Sequence, residues 1–229
     1  MHVMVNEGQG SITLPLANGP VCLAPGERLL LAGMLPPRHP DLRAVPLAGS
    51  GMARALAHFD HVREATRTPG EPPAVCWTTR VNLEEPDVAA AWLIGQLARD
   101  LGPGVDADVV PPLAALLRHL ARSESYGLMR FLLEQGGDHS VAALAERYGL
   151  SSAQFHRRCR QVLGRPLKRE LRIQRAARTL LAYPGRSRSF TYLAADHGYA
   201  SLSHFCTDIK SLIGCSPLSV YRAVKTPAE

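Results

Sequence analysis

Val141-Ala-Ala-Leu144-Ala-Glu-Arg-Tyr148-Gly149-Leu150-Ser151 is echoed forty-nine residues on, Leu193 against Leu144, by Phe190-Thr-Tyr-Leu193-Ala-Ala-Asp-His197-Gly198-Tyr199. This echo decides the fold of the last third of the chain. Val141, Leu144 and Ala145 recur at i, i+3 and i+4, the apolar face of a short helix. Gly149 stands where a tight turn asks for a left-handed backbone. Ser151, with Gln154 three residues later, then makes a capping box that opens a second helix. The inner face of that helix is Phe155, Cys159, Val162 and Leu163, and Gly164 and Pro166 close it. In the second copy Gly198 makes the turn, Phe205, Ile209, Leu212 and Ile213 form the inner face, and Gly214 and Pro217 end it. After the turn the offset becomes fifty, with Phe205 against Phe155 and Gly214 against Gly164, so the second turn holds one more residue. Two helix-turn-helix units are therefore expected, at 141–164 and 190–214.

Between them, Pro166 to Tyr183 reads as a helix with Leu167, Leu171, Ile173, Ala176, Ala177, Leu180 and Leu181 as its apolar positions, ended by Pro184-Gly185. Its eighteen residues, at about 1.5 Å each, span roughly 27 Å. Two reading helices on one face of B-DNA sit about 34 Å apart, so a connecting helix of this length could hold the spacing within one chain. Charge points to the same partner. Residues 1–127 carry 10 Arg and no Lys against 13 acids (−3), and residues 128–229 carry 16 Lys and Arg against 7 acids (+9), which sum to the net +6. Arg157, Arg158, Arg160, Arg165, Lys168, Arg169, Arg172, Arg175, Arg178, Arg186 and Arg188 meet only Glu170 across residues 151–195. A cationic surface of this kind neutralises phosphates and releases counterions. A charge run alone is more often a solvated helix face; its coincidence with a duplicated helix-turn-helix reverses that preference.

The stretch Ser189 to Pro217, followed by Tyr221-Arg222, resembles the signature of the AraC/XylS family of bacterial transcription regulators almost position for position, and residues 130–222 as a whole are similar to that family's DNA-binding domain. The resemblance implies double-stranded promoter DNA and RNA polymerase as partners, with each unit placing one helix in successive major grooves. Carried over residue by residue, the first reading helix would present Ser152, Ala153, His156, Arg157 and Arg160. Arg157 is the candidate for a bidentate contact to guanine, and His156 for a base acceptor or phosphate. The second would present Leu202, Ser203, Cys206 and Thr207, with Lys210 near the backbone. Lys168, Arg169, Arg172 and Arg188 are the candidate phosphate contacts. Thr207 stands where many relatives have a longer polar or basic residue, and Asp208 follows it, so the second unit is expected to add less base-specific energy. In the alternative, Leu202 and the Thr207 methyl read thymine methyl groups. Leu144 to Leu150 and Gly198 to Phe205 resemble most the subgroup that activates type III secretion and virulence genes. That resemblance implies a secretion chaperone or other regulatory protein as partner.

The first half is Pro- and Gly-rich with short apolar runs: Gly10 to Leu16, Val21 to Ala32 and Ala74 to Leu83, each bounded by turn signals and read as strands. Val21 to Ala32, with Pro25-Gly26 at its centre, is expected to be a hairpin. Helices follow at Asp87 to Leu101 and Pro111 to Glu134, separated by Gly102-Pro103-Gly104, the second interrupted near Ser123 to Gly127. The stripe on Asp87 to Leu101 (Val88, Ala91, Trp92, Ile94, Leu97, Ala98) is either a homodimer surface or core packing against the strands, the latter favoured. The expected class is thus α+β. A regulatory, partner-binding or dimerisation domain occupies 1–134, β-rich to about 83 and helical after it. Gln135-Gly-Gly-Asp138 is a linker, and an all-α DNA-binding domain occupies 139–225.

No nucleophile with its base, metal set or phosphate loop is legible, so the chain is expected not to be an enzyme and to need no cofactor. His58 and His61 are the one close histidine pair, short of a metal site. Cys22, Cys76, Cys159, Cys206 and Cys215 have no paired spacing and fit a reducing compartment. No leader or membrane-length apolar run is evident, and a cytoplasmic protein is expected. Two rival readings stand beside the activator. One is a regulator whose first domain binds a small effector. The other is an architectural protein that binds any duplex without sequence preference.

Overall fold

The computed structural model describes residues 1–16, 19–32, 35–47, 49–65, 75–100, 111–135, 139–182 and 189–225. The chain divides into two compact units, Met1–Phe131 and Leu132–Glu229.

In the first unit, β1 (His2–Asn6), β4 (Arg28–Ala32), β5 (Leu42–Pro46) and β6 (Val75–Thr79) form an antiparallel sheet in the order β5-β1-β4-β6, and β2 (Ile12–Leu16) pairs with β3 (Gly19–Leu23) in a ribbon. Met4, Leu29 and Leu31 on one face of the sheet cluster with Ile12, Leu14 and Leu23 of the ribbon. Val3, Val5 and Leu30, on the other face, are buried too. Strands covered on both faces lose the apolar-polar alternation that announces a strand, which is why β1 is hard to see in the sequence. The ribbon and sheet are joined through Asn6, whose Nδ2 donates to the carbonyls of Gly10 and Leu23 at 2.8 Å each. Its Oδ1 accepts from the Gly8 amide at 2.9 Å, so this buried amide is well satisfied.

The hairpin expected over Val21 to Ala32 does not form. The turn at its centre does: Glu27 N donates to Ala24 O at 3.0 Å, and Gly26 takes a φ of 72°. Its two arms go to different sheets, β3 to β2 and β4 to β1 and β6. A helix, α1 (Ser50–Val62), also interrupts the region expected to be β-rich. Gly51, Met52, Ala53, Leu56, Ala57 and Asp60 are its buried positions, a helical spacing that was present in the sequence.

α2 (Pro86–Asp100) packs on α1 with Ala89, Leu93 and Leu97 buried, a face different from the expected stripe: of that stripe Leu97 is buried, Val88 and Trp92 are half-buried, Ala91 and Ile94 are exposed, and the Ala98 side chain lies outside the described part. α3 (Pro111–Ala121) and α4 (Glu124–Gln135) are parted at Ser123, whose hydroxyl donates to Leu120 O at 2.6 Å and accepts from Tyr126 N at 3.2 Å. Tyr126 then donates to the buried Asp60 at 2.9 Å, tying α4 to α1. Among the described residues no three His, Cys, Asp or Glu side chains gather as a metal site, His58 and His61 included, and no helix is long and apolar enough to cross a membrane.

The second unit is helical: α5 (Val141–Arg147), α6 (Ser152–Leu163), α7 (Leu167–Leu181), α8 (Phe190–Asp196), α9 (Leu202–Ile213) and α10 (Pro217–Lys225). α7 has 15 residues. Its length is therefore about 22 Å, shorter than the 27 Å expected. Its buried face also differs from the expected one. Ala177 is exposed, while Glu170, Gln174 and Thr179 are buried beside Leu167 and Ala176. The core of the second half of this unit is Ala176, Ala194, Tyr199, Phe205 and Ile209, with Leu180, Phe190 and Val220 of α10 against it. Pro184-Gly185, Gly102 to Gly104 and residues 136–138 of the linker lie outside the described residues.

Candidate nucleic-acid interface

Each helix-turn-helix is built by the same local chemistry. Ser140 caps α5 by accepting from Ala143 N at 3.2 Å, and the helix stops at Gly149, whose φ is 78°. Ser151 Oγ accepts from Gln154 N at 3.4 Å while Gln154 Oε1 accepts from Ser151 N at 3.1 Å, closing the capping box foreseen from the sequence. Phe155, Cys159 and Leu163 turn inward from α6, and the Tyr148 and Phe155 rings meet at 5.3 Å. Gly164 ends the helix in the left-handed conformation. In the second helix-turn-helix Ser189 caps α8, Gly198 turns at a φ of 74°, Ser201 caps α9 by accepting from His204 N at 3.1 Å, and Gly214 ends it.

With the inner faces fixed in this way, the outer faces follow from the helical period. On α6, Ser152, Ala153, Arg157 and Arg160 are exposed and His156 is half-buried. On α9, Leu202, Ser203, Thr207 and Lys210 are exposed, while Cys206 is half-buried against the Phe205 cluster. Ile213, expected on the inner face, is 51% exposed. The two outer faces differ in kind. The first carries three exposed arginines, Arg157, Arg158 and Arg160, and the second one lysine among hydroxyl and apolar groups.

The cations of the connecting region also separate by role. Lys168 and Arg169 are exposed at the start of α7. Arg165 Nε instead lies 2.6 Å from Glu170 Oε2, a carboxylate with no solvent exposure, which ties the turn after α6 to α7. Arg172 binds Asp208 of α9, and the Arg175 guanidinium covers the Tyr199 ring at 5.6 Å. Asp208 is buried, so it does not stand on the reading face as its place after Thr207 suggested. Sequence reasoning missed Glu170 and Asp208 as partners of these arginines. The available signal was their spacing: each acid falls on the buried stripe of its own helix. Arg186 and Arg188 lie outside the described residues.

Burial raises the Cys159 thiol from its ordinary 9.0 to about 11, so it stays protonated and unreactive at neutral pH. Burial, with the adjacent Asp208 carboxylate, raises the Tyr199 phenol from 10.0 to about 12. Cys22 is exposed in the first unit, and the side chain of Cys76 lies outside the described part.

Residues 144–223 match the family model described as a helix-turn-helix domain. The chain is 43% identical over 108 residues, 47% of its length and 50% of the relative's, to invasion protein InvF of Salmonella typhimurium. It is 36% identical over 103 residues, 44% of its length and 49% of the relative's, to transcriptional regulator MxiE of Shigella flexneri. The match thus spans about half the length of each of these relatives. Among solved structures it is similar to ToxT of Vibrio cholerae, at 12% identity and a TM-score of 0.44, over 98% of this chain and 89% of that one.

Proposed function

We propose, from the premise that residues 144–223 form a helix-turn-helix DNA-binding domain of the AraC/XylS type, that this chain is a sequence-specific transcription regulator and activates type III secretion genes together with a protein partner. The observation that carries the reading is the pairing of two capped reading helices, α6 and α9, each with its outer face left to solvent, in the cationic half of the chain. Ser152, Ala153, Arg157 and Arg160 of α6 and Leu202, Ser203, Thr207 and Lys210 of α9 are exposed, while His156 and Cys206 are half-buried. Relatives named as an invasion protein and as a transcriptional regulator are in keeping with it.

On this reading Ser152, Ala153, His156, Arg157 and Arg160 face the bases of one half-site. Arg157 is the guanine-reading side chain, because a guanidinium satisfies O6 and N7 of guanine bidentately. Leu202, Ser203, Thr207 and Lys210 face the other, with Cys206 at the margin. Lys168 and Arg169, exposed at the start of α7, are the phosphate contacts. The protein partner, whether a secretion chaperone, RNA polymerase or a second copy of the chain, would engage the first unit or the surface of the second away from α6 and α9.

The test is binding of the full chain to duplexes from upstream of type III secretion genes and to random duplex, over a range of salt. Preference for the upstream duplexes of roughly a thousandfold or more is expected for a specific regulator. Equal binding to both would leave the architectural reading.

A second reading is favoured by one feature of the first unit. An open cleft of about 340 Å3 is lined by Met4, Leu35, Pro36, Pro37, Leu42 and Ala44, with Arg38 and His39 alongside. Apolar walls with a few convergent polar groups are the ordinary form of a small-molecule site. An effector bound there would shift DNA affinity only by binding two states of the protein unequally.

A further inference from the structure

Asp208 is a carboxylate only 5% exposed, on the helix whose opposite face is assigned to DNA. A buried charge is tolerated when it is paired and hydrogen-bonded. Arg172 of α7 donates from Nε to Asp208 Oδ1 at 2.8 Å and again from Nη2. The Tyr199 hydroxyl donates to Oδ2 at 3.3 Å. The Tyr199 ring meets Phe205 edge-on at 5.1 Å and lies under Arg175. One carboxylate therefore joins the α8–α9 turn, the reading helix and the connecting helix.

The repeat puts no acid at the equivalent position of the first helix-turn-helix. The residue fifty positions before Asp208 is Arg158, which is exposed on α6. The first helix-turn-helix meets α7 through Arg165 and Glu170, in the turn beyond its reading helix. Successive helix residues are rotated by about 100°. A pin at 208 thus fixes α9 about its own axis and sets where Ser203, Thr207 and Lys210 point.

We propose that Arg172 and Asp208 are positioning residues that lock the rotation of α9 against α7 and thereby set the half-site spacing the protein accepts on DNA. The proposal rests on α9 being a DNA-reading helix. It also removes Arg172 from the phosphate contacts expected of it, because its guanidinium is held within the domain.

The test uses the full chain and two-part sites that the wild type selects from a random duplex library. Affinity is measured on the selected site and on versions with one base pair added or removed between the halves, with melting curves for each variant. The wild type should lose roughly tenfold at either altered spacing, the scale of one mismatched base pair, and Asp208→Asn and Arg172→Gln should narrow that loss to roughly threefold or less. The salt slope on random duplex should be unchanged by Arg172→Gln, and the exchanged pair, Arg172→Asp with Asp208→Arg, should recover part of the discrimination. Because Arg172 is the more exposed partner, its variant remains informative if Asp208→Asn melts below the assay temperature. Losses by one common factor at every spacing, or a salt slope reduced by Arg172→Gln, would overturn the proposal. Selection of no two-part site by the wild type would remove the DNA reading itself, a failure visible before any variant is made.

Discussion

Arg157 and Asp208 lie one residue off equivalence in the repeat and have opposite fates, since one is exposed, where we propose that it reads DNA, and the other is buried. At the residue scale this difference yields two predictions. Arg157→Ala should weaken binding to a selected site by about 1–3 kcal/mol and relax preference at one base pair, as loss of a bidentate guanine contact does. Equal weakening on random duplex, measured by anisotropy, would make Arg157 a phosphate contact. The second prediction concerns alkaline stability. Cys159 and Tyr199 have folded-state values raised to about 11 and about 12, so the native state retains protons that the unfolded chain releases at lower pH. Their contribution is complete below about pH 9, falls as pH rises through that window and is lost above it. Melting temperature should therefore drop between pH 9 and 11.5, and Tyr199→Phe should flatten the upper part of the drop. The arginines on and just before α7 show what was hidden at this scale. Eleven cations facing one acid looked like a single phosphate-binding run, yet Arg165, Arg172 and Arg175 are engaged inside the domain.

At the scale of elements, the capping box and the glycine turns were legible because their causes are local. Ser151 and Gln154 satisfy amide groups a few residues apart, and no tertiary contact is needed to foresee that. Ser151→Ala should cost about 1 kcal/mol of stability, measured by denaturant unfolding. Gly198→Ala should cost roughly 1–2 kcal/mol, because a Cβ at a φ of 74° is strained although the space around it is open. A neutral Gly198→Ala would mean that the turn relaxes to another conformation. The strands were less legible. β1 and β4 are covered on both faces, so periodicity does not single them out, and the partners of β3 and β4 depend on contacts far along the chain. A proline-glycine turn announces a change of direction without saying which sheet receives the chain next. α1 had the spacing of an amphipathic helix and was overlooked inside a stretch read for its turns.

For the whole molecule, charge distribution governs encounter with DNA. A half carrying +9 beside one carrying −3 should bind duplex with a steep salt dependence that belongs to the second unit. Lys168→Ala with Arg169→Ala should weaken selected and random duplex alike and reduce the slope of log affinity against log salt by about 2, close to one per contact. An unchanged slope would take both residues out of the interface. The duplicated pattern, the caps, the turns and the charge asymmetry were determined by the sequence alone, since each depends on residues within one or two helical turns or on a simple sum. Only the tertiary structure decided which cations remain free, that Asp208 faces inward, and that β3 and β4 part company. Those outcomes depend on which distant groups are brought close enough to share a buried charge or a backbone hydrogen bond, and one-dimensional periodicity carries no measure of that distance.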